Sequence, residues 1–382
     1  MKIVICPDSF KGCLGSLEVA RAIKDGVKEI FPDAQYISLP MADGGEGTVD
    51  ALLFAIGGKK YKADVLDPLG RKIKAEYAVL SDGTGVLEMA SASGLPLLRT
   101  NEKNPLITST YGTGQIILEL VKKKVKSILI GVGGSATVDG GTGMAKALGV
   151  KFYSKSGENL QEGGGFLGDL EKIDISGINR DALKTKITVL CDVNNPLTGK
   201  YGASRIFGPQ KGADKKMVNI LEKNLKHYAK IIKKQIRKDI EHIPGSGAAG
   251  GLAAGLVAFL NAELKEGAHF IAEKIKLEKN IKDSHLIITG EGKIDSQVKY
   301  GKAILAVIQI SKKYKKPVVA ICGQISGDLK FLHKYGLSAV FPITPGPITL
   351  EESIKNSKRF IRNTSAQIAG LVRCFYKNRL NF

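Results

Sequence analysis

KIVICPDSFKG (2–12) opens on Lys2 and four apolar residues and breaks at once into a polar loop that ends in glycine. A strand, a turn carrying Asp8, Ser9 and Lys11, and then a helical pattern make the start of a βαβ unit. The helix is expected over SLEVARAIKDGVKEIF (16–31), where Leu17, Ala20, Ile23, Val27 and Ile30 share one face and Pro32 follows as a stop. QYISLP (35–40) reads as the second strand.

The same alternation returns at the far end. LIIT (286–289), PVVAIC (317–322) and SAVFPI (338–343) read as strands, GKAILAVIQISKKY (301–314) as a helix, and residues 351–378 as a long closing helix. Five parallel strands drawn from both ends complete one doubly wound sheet, so the middle of the chain is expected to be inserted in it. The α/β domain of the two ends is placed at 1–66 plus 285–382, and a second α/β domain at 67–284.

Composition agrees with that plan. A chain of 382 residues exceeds one ordinary core. Forty-five glycines with no Trp indicate many close backbone approaches. KIKAEYAVL (72–80) and TGVLEMAS (84–91) alternate like antiparallel strands, SILIGVGG (127–134), KFYS (151–154) and ITVLCDV (187–193) read as further strands, and helices are expected at 109–124, 139–149, 213–240 and 248–262. Residues 245–264 are long enough on paper to cross a membrane, but their glycines, Asn261 and Glu263 favour a closely packed buried helix. The five cysteines form no CxxC pair, and the N-terminus reads directly as a strand, so a cytoplasmic location without a membrane anchor is expected.

The formal charge of +20 raises the possibility of nucleic-acid binding. The excess is lysine spread along helical segments, with no basic run interleaved with aromatics and no nucleic-acid-binding motif. A solvated lysine surface is expected, with no specific nucleic-acid partner.

Five loops each place glycine beside a carboxylate, hydroxyl or amide just after a strand: CPDSFKG (6–12), MADGGEGT (41–48), GVGGSATVDGGTG (131–143), CDVNNPLTG (191–199) and TGEGKIDSQ (289–297). A sixth, IFGPQKGA (206–213), adds Gln210 and Lys211. One glycine-rich turn is commonly structural. Five strand ends of this kind indicate a shared polar site. The Walker pattern GxxxxGK[ST], a GxSxG elbow and HExxH are all missing, and the five histidines are scattered. Carboxylates without histidine suit Mg²⁺, which binds one or two acidic groups plus phosphate, and they suit a general base for a hydroxyl. Phosphoryl transfer uses all of these parts.

PDSFKG (7–12), ADGGEGT (42–48), GVGGSATVDGG (131–141), CDVNNPL (191–197), FGPQKGA (207–213), GSGAAGGL (245–252) and TGEGKIDSQ (289–297), in this order across nearly the whole chain, resemble the bacterial glycerate kinase family. Val298, where many members have Thr, is a small departure. The resemblance implies ATP-dependent phosphorylation of D-glycerate, usually to 2-phosphoglycerate, by a flavodoxin-like domain joined to a second α/β domain, with the active site in a cleft between them. Under that reading Asp192 or Asp295 is the general base, Lys11 and Lys293 neutralise phosphate or carboxylate charge, and Asp43 or Glu291 holds Mg²⁺. Gly133, Gly134 and Ser135 offer donors to phosphate. Asp8, Ser9, Gly44, Gly45, Asn194, Gln210, Lys211, Gly290 and Gly292 complete the expected binding set. The alternatives are a 3-phosphoglycerate-forming enzyme, a kinase of a related hydroxy acid, and a non-catalytic ligand-binding regulator. A homodimer is the assembly carried forward.

Overall fold

The computed structural model describes residues 1–295, 298 and 303–378. Gln297 of the fifth loop, with Gly301 and Lys302 after it, lies outside the described residues. In chain order the strands are β1 (Lys2–Ile5), β2 (Gln35–Ser38), β3 (Gly58–Leu66), β4 (Lys72–Leu80), β5 (Thr84–Glu88), β6 (Ser127–Gly131) and β7 (Lys151–Ser154). They continue with β8 (Leu170–Asp174), β9 (Lys186–Leu190), β10 (Glu263–Lys265), β11 (Leu286–Ile294), β12 (Val318–Ile325) and β13 (Ala339–Pro342). The molecule is a mixed α/β protein with parallel sheets, as the alternation of strand and helix implies.

The chain divides into two compact units. The first comprises Met1–Asp43, Asp50–Ala55 and Ala268–Phe382, and the second Gly44–Val49 and Ile56–Gly267. In the first, five strands lie in the order β13-β12-β11-β1-β2, every pair parallel. From β1 the chain moves to β2 on one side and later resumes at β11 on the other, so the order reverses between β1 and β11. Ligands of open α/β sheets bind at such a switch point, beyond the carboxyl ends of the strands. The core is Ile3, Ile5, Val19, Ile23, Ile288, Ile321 and their neighbours. The helix Ser16–Lys28 packs on the closing helix Leu350–Asn378 at Gly26, where a Cβ would fall 2.0 Å from the carbonyl oxygen of Arg362.

In the second unit six strands run β10-β9-β6-β5-β4-β3. β5, β6, β9 and β10 pair in parallel, whereas β3, β4 and β5 form an antiparallel meander. β3 pairs with β4 along its whole length and therefore belongs with residues that follow it. The chain thus divides at places other than the 66 and 284 read from sequence. β7 and β8 form a separate two-stranded ribbon. The helix Lys215–Ile236 buries Leu221, Leu225, Tyr228 and Ile232 at helical spacing, and Asp214 caps it by accepting from the Met217 N–H at 2.7 Å. Its lysines 215, 216, 223, 226 and 230 are exposed.

The apolar stretch after residue 245 is not one long helix. Ala249 and Gly250 adopt left-handed backbone angles, the α-helix covers only Leu252–Leu260, and Asn261 ends it at φ +53. Among the described residues no helix is long and apolar enough to cross a membrane.

Candidate active site

The first unit gathers its share of the expected residues beyond the carboxyl ends of β1 and β2 and along the last residues of β11. Parallel pairing runs on past the strands: the Cys6 and Asp8 N–H groups donate to Ile288 and Gly290, and those of Leu39 and Met41 donate to Ile5 and Pro7. That continuation places Asp8, Asp43, Glu291 and Gly292 beside one another. With Ser9, Lys11 and Lys293 they line a cavity of about 380 Å³. Lys11 reaches Asp43 at 3.7 Å, and Lys293 reaches Asp295 at 3.2 Å. Gly290 lies on β11 beneath this cluster.

Asp8 is buried, and its carboxylate accepts the Ser9 N–H at 2.6 Å. Burial, then the negative charge of Asp43 and more weakly of Glu291, pushes its pKa up to about 8 against the opposing pull of that N–H and of Lys11. Crowded carboxylates that resist ionising together favour a cation among them. Among the described residues no three His, Cys, Asp or Glu side chains form a metal cage. Oxygen-only donors in ones and twos, such as Asp43 and Glu291 on this cavity, fit the chemistry of a hard divalent cation that arrives with phosphate oxygens.

The second unit gathers the rest at the carboxyl ends of β6 and β9, where backbone packs on backbone. The Gly133 N–H donates to the Gly44 carbonyl at 3.2 Å, and a Cβ on Gly133 would lie 2.6 Å from the Gly45 Cα. The Gly140 N–H donates to Gly250, and the Gly247 N–H donates to Asn195. Gly134 and Asn194 are exposed, Asp192 is half-buried, and Ser135 is buried. Gln210 is exposed on a short turn.

Lys211 is fully buried. Its ammonium donates to Ser135 Oγ at 2.6 Å and to the Thr137 carbonyl at 2.7 Å. Desolvation pulls its pKa down to about 7, against the attraction of Asp139. In this arrangement Lys211 braces the GGSAT loop from inside.

Asp139 has no exposed surface and accepts from the N–H groups of Thr110, Gly141 and Gly143 and from the Thr110 hydroxyl. It thereby fastens the starts of the helices Tyr111–Lys122 and Thr142–Ala147. The N-terminus of the helix after GVGGSATVDGG is therefore occupied from inside, since this carboxylate takes its N–H groups.

Sequence reading missed Asp139, and also Glu222, which accepts from the Gly199 N–H and Ser204 Oγ and so fastens the end of the CDVNNPLTG loop. A carboxylate inside a glycine run, in VDGG, was the available signal for Asp139. It also missed Gly323 and Gln324 near the carboxyl end of β12, a further strand end bearing glycine and an amide, and Leu350 and Ile354 on the closing helix. For the last two no sequence signal separates a cavity wall from an ordinary amphipathic face.

Carboxylates and lysines at one set of strand ends, and tightly held glycine loops at another, define an α/β enzyme equipped for moving anionic groups, the chemistry of a phosphotransferase. The glycerate kinase family model matches residues 3–373, and the chain belongs to that family. It is 48% identical over 374 residues to the glycerate 2-kinase of Escherichia coli strain K12, covering 97% of this chain and 98% of that protein. It is 43% identical to the glycerate kinase of Bacillus subtilis strain 168, covering 98% of each. A crystal structure of a protein from Salmonella typhimurium LT2 assigned as glycerate kinase 2 matches with TM-score 0.88 at 43% identity, over 99% of both chains. The activity is therefore that of a kinase acting on glycerate.

Proposed function

We propose that the chain transfers the γ-phosphoryl group of ATP to the C2 hydroxyl of D-glycerate, giving 2-phosphoglycerate and ADP, in the cytoplasm. The observation that carries this reading is near-full-length similarity to a relative named for the 2-position, at 48% identity. In the step, the bond between the γ-phosphorus and the bridging oxygen of ADP breaks as the C2 oxygen bonds to phosphorus. The hydroxyl proton passes to a carboxylate, Asp192 or Asp295.

Lys11 and Lys293 meet the negative charge of phosphate or substrate carboxylate. The brace from Lys211 to Ser135 keeps the GGSAT loop in one conformation, so its donors need not reorganise as charge develops. Mg²⁺, held by Asp43 and Glu291, supplies charge neutralisation on the phosphate oxygens when bound.

A coupled ADP-release assay with D-glycerate, L-glycerate and hydroxy-acid analogues, with and without Mg²⁺, tests the reading. Phosphorus NMR of the product then separates the two regioisomers. No ADP release with any three-carbon hydroxy acid would overturn the kinase reading and favour a binding regulator. A 3-phosphoglycerate signal would overturn the regiochemistry alone.

A further inference from the structure

We infer that the cavity at the switch point between β1 and β11 is the nucleotide site, with an apolar wall for the purine base and a charged floor for the polyphosphate. The inference rests on the kinase reading and assigns one of its two substrates to a place.

Three observations carry it. The first is size: the cavity measures about 380 Å³. D-Glycerate, with three carbons and four oxygens, needs on the order of 100 Å³, about three waters' worth of liquid volume. A nucleoside triphosphate fills the space, which lies in the range of sites for ligands of that size.

The second is the chemistry of the wall. Phe10, Ile343, Leu350 and Ile354 line one side, and Leu350 and Ile354 are 76% and 41% exposed. A hydroxy acid has almost no apolar surface with which to cover them, whereas a purine ring has a large flat face. The third is the floor. Asp43 and Glu291 suit a polyphosphate that brings a divalent cation, with Lys11 and Lys293 beside them for the phosphate charge. Ser9 also lines the cavity, and among the described residues its buried hydroxyl has no hydrogen-bond partner.

The test uses the full chain with Leu350 and Ile354 both replaced, Leu350→Ser with Ile354→Ser, at surface positions where the fold does not depend on them. Binding of N-methylanthraniloyl-ATP with Mg²⁺ is followed by fluorescence, with adenosine as competitor, alongside steady-state kinetics. The dissociation constant for the probe and the KM for ATP should each rise about tenfold, adenosine should compete more weakly, and the KM for D-glycerate should stay within twofold. Unchanged nucleotide binding, or a rise confined to the KM for glycerate, would overturn the assignment. If the protein binds the probe but phosphorylates no hydroxy acid, the kinase reading fails while the binding arm still decides the nucleotide site.

Discussion

Around β1 and β11 the loops turn charged side chains toward a cavity, whereas around β6 and β9 they pack main chain on main chain and turn few side chains outward. In the first region the controlling quantity is charge: Asp8 is pushed up to about 8 by burial and by Asp43, and Lys11 and Lys293 sit opposite. In the second it is shape: Gly44, Gly133, Gly140 and Gly250 allow contacts that any Cβ would block, and Asp139 and Lys211 hold the result from inside. Charge is adjustable by ligands and pH, while a glycine-packed loop is fixed on folding.

The sharpest way to break the contrast is to take one candidate base from each region. Asp192→Asn or Asp295→Asn should lower kcat by about 10²–10⁴ with little change in melting temperature, read by ADP release and calorimetry. Near-normal turnover in both would remove them as base candidates, and a loss confined to one would place the proton acceptor in that region.

Next in size is Gly250→Ala. Its φ is +64, and the new Cβ would meet the Thr137 carbonyl at 1.9 Å. A loss of about 3 kcal/mol is expected from strain and overpacking together. Calorimetry should then record a fall of roughly 6–12 °C, and an unchanged melting point would show that the packed loop tolerates side chains.

Lys211→Met tests the internal brace by pH. The native pKa of Lys211 is near 7, below the 10.5 of an unperturbed lysine. Between those values the unfolded chain binds more protons, so wild-type stability gains from rising pH, by about 2 kcal/mol between pH 7 and 9, and that gain disappears as pH falls through 7. Urea unfolding of the variant should lack this slope; an identical slope in both proteins would refute the buried, depressed lysine.

The smallest effect is expected at Gly12→Ala in the open region. Its φ is +72 but nothing lies within 4 Å of the added Cβ, so about 1 kcal/mol of backbone strain is the whole cost. A loss as large as at Gly250 would erase the distinction between open and packed loops.

Much of this was legible beforehand, for reasons that differ by element. KIVIC and LIIT read as strands because three or four apolar residues in a row followed by a polar turn have few other stable uses. The parallel sheet followed from their alternation with amphipathic helices such as 16–31. β3 was not recognised: GKKYKADVL carries lysines on its outer face and has only Ala63 and Val65 buried, so its apolar signal is weak and its membership comes from pairing with β4. The stretch after 245 read as one helix because composition cannot reveal a left-handed turn at Ala249 and Gly250.

Sequence alone determined the alternation of strand and helix, the positions of the glycine–carboxylate loops and their order, because these depend on local periodicity and on which residues tolerate tight turns. It could nominate Lys211 and Asp8 as polar members of a site. Only the tertiary structure decided that Lys211 is a buried brace and that Asp8 shares a cavity with Glu291, a residue 283 positions further along. Burial and the company of other charges arise when distant strands pair, and they set what each group can do.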